Sequence, residues 1–73
     1  MDIEILKRDK ERLEHFVAKE ARDQTRILAL RMLGEEDEND IKDYQICEIL
    51  MNEFRAGISR IDIVLEQLEQ IKT

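Results

Sequence analysis

Arg8, Arg12, His15, Lys19, Arg22 and Arg26 recur at intervals of 4, 3, 4, 3 and 4 residues. On an α-helix that spacing sets all six side chains on one face, as a continuous cationic stripe. Four of the six are arginine, whose planar guanidinium grips a carboxylate or a phosphate through two parallel hydrogen bonds. The chemistry is recognition: docking of an acidic protein partner, or of nucleic-acid phosphates. The bland alternative is a solvated face, relieved by Glu4 beside Arg8, Glu11 beside His15 and Asp23 beside Arg26. Arg8/Arg12 and Arg22/Arg26 are like-charge pairs one helical turn apart, each costing a few tenths of a kcal/mol. A helix needing only solubility would interleave acids along that line. Here Glu4, Glu11, Glu14 and Asp23 stand to either side of it. Nucleic acid is the weaker of the two partners, because the net charge is −6 and only three aromatic residues are present for stacking.

Residue types that carry covalent or acid–base chemistry are sparse. His15 is the only histidine, Cys47 the only cysteine and Ser59 the only serine. None has a partner at a spacing that would make a nucleophile and its base. Cys47 reads as a small buried hydrophobe, and one cysteine excludes an intrachain disulfide. Neither Cys-x-x-Cys, His-x-x-x-His nor Glu-x-x-His occurs, which removes the zinc and di-iron bundle motifs. The acidic run 35–40 lacks the glycine of a calcium loop, and after Asp37 and Asn39 the next ligand position falls on Ile41. Gly34 and Gly57 are isolated, so no phosphate-cradling loop forms. A non-enzymatic protein without catalytic residue, cofactor or metal is expected.

The elements that position the stripe follow from periodicity. The chain has 73 residues, 42% apolar and 41% charged, with no proline. That is one small domain, too apolar for disorder and marginal for a self-sufficient core. Residues 1–33 carry eight basic and seven acidic side chains, 34–40 five acids and no base, and 41–73 four basic and six acidic. The acidity therefore belongs mostly to one short connection between two nearly balanced segments. In the first segment Leu6, Leu13, Val17, Ala21 and Leu28 recur at helical spacing, widened by Phe16 and Ile27. Gly34 is placed to end that helix, and Asn39 or Asp40 to cap the next.

The second segment is more regular. Tyr44, Cys47, Met51, Phe54, Ile58, Ile61, Leu65 and Leu68 alternate intervals of 3 and 4, an unbroken heptad series. Leu50, Val64 and Ile71 widen it, with Gly57 as the gap. Ser59 and Asp62 resemble a capping box, so a break at Gly57 would give three helices. The heptad phase runs straight through that point, which favours one continuous helix. The expected fold is all-α: an antiparallel two-helix hairpin with helix 2–33, acidic turn 34–39 and helix 40–72.

Ile46, Ile49 and Ile63 lie outside the widened heptad face, and a lone hairpin cannot cover them. Dimerisation into a four-helix bundle resolves this, with Ile46, Ile49, Leu50 and Ile63 in the interface. The longest apolar run, Ile27 to Leu30, is far short of the ~20 residues that span a bilayer. The opening Met1-Asp2-Ile3-Glu4 carries no signal-peptide pattern, so the cytoplasm is the expected location and no membrane contact is foreseen. The expected function is a small dimeric interaction module acting as adaptor, inhibitor or assembly factor on another protein. The alternative is a nucleic-acid-associated regulator that contacts phosphates through Arg8, Arg12, His15, Lys19, Arg22 and Arg26.

Overall fold

The computed structural model describes residues 2–72. It is an all-α hairpin of two helices, α1 (Ile3–Met32) and α2 (Glu38–Lys72). Together they make a rod 57 × 15 × 14 Å. The length is that of α2 itself, since 35 residues at about 1.5 Å each span roughly 52 Å. The helices run antiparallel: Arg31 meets Tyr44 near the turn, Phe16 meets Phe54 midway, and Lys10 meets Asp62 towards the open end.

Each helix end near the turn is closed by its own hydrogen bonds. Gly34 takes φ 72°, the left-handed conformation that glycine adopts without penalty. Its N–H donates to the Arg31 carbonyl at 3.1 Å, and the Glu35 N–H to the Leu30 carbonyl at 2.9 Å. That pair of bonds is the Schellman motif expected of a glycine in this place. The start of α2 differs from expectation. Its cap is Asp37, two residues before Asn39, because Asp37 and Asp40 satisfy each other reciprocally. The Asp40 N–H donates to Asp37 Oδ1 at 2.9 Å, and the Asp37 N–H to Asp40 Oδ2 at 3.1 Å. This is a capping box with aspartate in the glutamate place. It draws Glu38, Asn39 and Asp40 into the first turn of α2, where the negative charges of Glu38 and Asp40 suit the helix dipole. At the other end of the chain Asp2 caps α1, accepting from the Glu4 N–H at 2.9 Å.

The seam of α2 is the heptad series Tyr44 to Leu68, every member buried or half-buried. The seam of α1 keeps Leu6, Leu13, Val17 and Ile27 of the expected stripe but is rotated from the rest of it. It runs Ile3, Leu6, Lys10, Leu13, Val17, Glu20, Gln24 and Ile27, at intervals of 3 and 4. Leu28 lies off it and is exposed, whereas Ile27 is fully buried. Three of the eight seam positions are polar, so counting apolar residues rotates the inferred face towards Leu28. The result is a thin core: Ile27, Cys47 and Met51 are the buried hydrophobics among the described residues.

α2 continues without interruption through Gly57, and close approach explains the glycine. A Cβ there would meet Leu13 Cδ1 at 3.0 Å. That atom is the tip of a half-buried side chain, which can yield by a few tenths of an ångström. Helix propensity favours alanine by about 1 kcal/mol. Gly57→Ala is therefore expected to stabilise the hairpin by somewhat less than that amount, read as a raised denaturation midpoint. A lowered midpoint would mean that Leu13 is held rigidly.

Candidate interaction surface

Helix α1 carries its stripe on the side away from the seam. Arg8, Arg12, His15, Lys19, Arg22 and Arg26 are all exposed, and along the helix axis they extend about 27 Å. Among the described residues none of the six lies within 4 Å of a carboxylate, so the relief expected from Glu4, Glu11 and Asp23 does not form as ion pairs. The two ion pairs present use other cations. Lys10 Nζ sits 2.7 Å from Asp62 Oδ1, and Arg31 Nε 2.9 Å from Glu36 Oε2.

The polar seam residues of α1 are matched from α2. The hydrogen bond from Lys10 to Asp62, with the charge of that carboxylate, raises the lysine's pKa above its ordinary value. Gln24 Nε2 donates to Glu48 Oε2 at 2.8 Å and to the Tyr44 carbonyl at 3.2 Å. Both acceptor side chains, Asp62 and Glu48, stand one position beyond a seam residue, on the same flank of α2. Arg31 ties off the turn, with its guanidinium carbon 5.1 Å from the centre of the Tyr44 ring, a cation–π distance. The opposite flank is apolar, presenting Phe16 from α1 and Leu50, Gly57 and Val64 from α2.

Glu20 is the third polar seam residue, and it meets the cysteine. Carboxylate oxygens of Glu20 and Asp23 and the sulfur of Cys47 lie within 4.8 Å of one another. Burial raises the Cys47 pKa, and a hydrogen bond to Glu20 and the nearby acidic charges of Glu20, Asp23 and Asp43 raise it further, from 9.0 to about 11. The thiolate is the form that attacks electrophiles and binds metals, and this setting disfavours it. The convergence has no trace in the spacing, because its members come from both sides of the turn.

A raised thiol pKa in the folded state means that stability from this group is complete below pH 9 and is lost as pH climbs through 11. The denaturation midpoint should therefore fall over that window. The fall should be shallower in Cys47→Ala, in which only the remaining alkaline titrations act. Parallel pH profiles for the two proteins would show that the cysteine's surroundings do not matter.

No family model, curated protein or solved structure matches the chain. The functional reading therefore rests on the surface itself. Besides the stripe, that surface exposes Ile46, Ile49 and Ile63, at 52%, 61% and 55%. Leu50, grouped with them in the expected interface, is half-buried beside the seam. Among the described residues no helix is long and apolar enough to cross a membrane.

Proposed function

We propose that this chain is a non-enzymatic interaction module, an adaptor, inhibitor or assembly factor. In this reading it works as a dimeric helical bundle and offers the α1 stripe to an acidic surface of another protein. The observation that carries the proposal is the stripe's unspent charge. Six basic or imidazole-bearing side chains are aligned and exposed on one face of α1, and none of them forms an ion pair among the described residues. Protein carboxylates suit the stripe better than nucleic acid does. The net charge is −6, and two of the three aromatic rings, Phe16 and Phe54, are engaged with each other at 5.4 Å.

Self-association is supported by area. A folded monomer of 8.7 kDa exposes about 4,700 Å² by the usual scaling with mass. This hairpin exposes 5735 Å², a surplus of about 1,000 Å² over that scaling. A standard interface removes about 800 Å² from each partner.

The test compares the wild type with an Arg12→Glu, Arg22→Glu double variant. Both are used as bait in the host, and the captured protein is then titrated in purified form. The variant should fold normally and lose at least tenfold in affinity, and wild-type binding should weaken steeply with salt. Unchanged affinity in the folded variant would make the stripe plain solvated surface. Salt-dependent retention of DNA or RNA, with no protein captured, would favour the nucleic-acid reading instead.

A further inference from the structure

The outer face of α2 carries a second heptad line. Ile46, Ile49, Glu53, Ala56, Arg60 and Ile63 follow at intervals of 3, 4, 3, 4 and 3. All are exposed except the small, half-buried Ala56, and the seam to α1 uses none of them. Reversed about Ala56, the five members from Ile49 to Ile63 are complementary: Ile49 falls opposite Ile63, and Glu53 within one residue of Arg60, close enough for their long side chains to meet. Neither charge has an ion-pair partner within the chain among the described residues.

We infer that this face docks a second copy of the same chain, α2 against α2 in antiparallel orientation, with the two-fold axis passing at Ala56. The inference rests on the self-association proposed above and adds its geometry. Isologous symmetry makes every contact occur twice. The interface therefore holds two Glu53–Arg60 pairs and two Ile49–Ile63 contacts around a central pair of alanines, whose small side chains let the helices approach closely. A parallel arrangement would set Glu53 on Glu53 and Arg60 on Arg60, which like-charge repulsion opposes. An unrelated partner would give no reason for the acid and the base to stand on opposite sides of the alanine, each flanked by an isoleucine. The surplus exposed area is of the size that one such interface covers.

Charge reversal and cross-linking test the geometry. Sedimentation equilibrium should show a wild-type dimer at tens of micromolar. Glu53→Arg and Arg60→Glu should each weaken it at least tenfold without loss of helical circular dichroism. Mixing the two variants one to one should restore association, because both cross-interface pairs of the heterodimer are then attractive. In a Cys47→Ala background, an oxidised mixture of Ile49→Cys and Ile63→Cys chains should give the mixed disulfide in preference to either homodimeric one. A monomeric wild type would overturn self-association altogether. A wild-type dimer that ignores both charge reversals, or that cross-links 49 to 49, would overturn the antiparallel geometry and leave dimerisation standing.

Discussion

Ile27→Ala should destabilise the hairpin by about 2–5 kcal/mol, the usual cost of emptying a fully buried aliphatic site. Ile27 has no exposed surface, and only Cys47 and Met51 are comparably buried among the described residues. With so few buried side chains the total stability belongs at the lower end of the ~5–15 kcal/mol found for domains. The substitution therefore removes a large fraction of it. Circular dichroism melts should show a shift far larger than that of Leu28→Ala, one residue along. Leu28 is 38% exposed and off the seam, so its truncation should cost no more than about 1 kcal/mol, in keeping with its smaller loss of burial. Equal losses at the two positions would place the seam on the wrong face of α1.

Phe54→Ala is the second large effect. A fully buried phenylalanine costs about 3–5 kcal/mol on truncation. Phe54 is only half-buried, although it occupies the heptad seam. About 2 kcal/mol is the fitting expectation, scaled from that range. Part of it is the contact with Phe16, whose ring centre lies 5.4 Å away at an interplanar angle of 34°. Such pairs contribute about 0.5–1.5 kcal/mol beyond area burial. A double-mutant cycle with Phe16→Ala should recover a coupling of that size. Strict additivity would mean that the two rings merely happen to be near each other.

How much of this was legible in the sequence depended on whether one residue type settled the matter. The α2 seam was readable because all eight positions from Tyr44 to Leu68 are apolar. The end of α1 was readable because a glycine just past the last apolar residue has few other uses. The α1 seam was not, because Lys10, Glu20 and Gln24 occupy it, and a polar side chain declares itself a seam member only when its partner across the hairpin is known. Asp62, Cys47 and Glu48 supply that information, and no local pattern points to them. The cap of α2 was displaced for a related reason. Asp37, Asn39 and Asp40 all have cap chemistry, and only the reciprocal bonds between Asp37 and Asp40 decide among them. The stripe on α1 was fully visible, since exposed charges at helical spacing need no tertiary information, but its lack of internal ion pairs was not.

The buried residues Ile27, Cys47 and Met51 all lie in the half of the rod nearest the turn, and that placement gives the hairpin a direction of assembly. Bringing Ile27 against that part of α2 closes a short loop, already shaped by the Schellman motif and the capping box, and loop-closure entropy grows with the span enclosed. Contacts between α1 and α2 farther from the turn enclose progressively longer spans and gain less burial in return. The chain is therefore expected to zip from its turn outward and to unzip from its open end inward. Protection of its amides against exchange should be graded along the rod, from global opening near Ile27 to local fraying near Ile3 and Leu68. The second copy proposed at Ala56 would clamp the rod at mid-length, where this intrinsic hold is already fading.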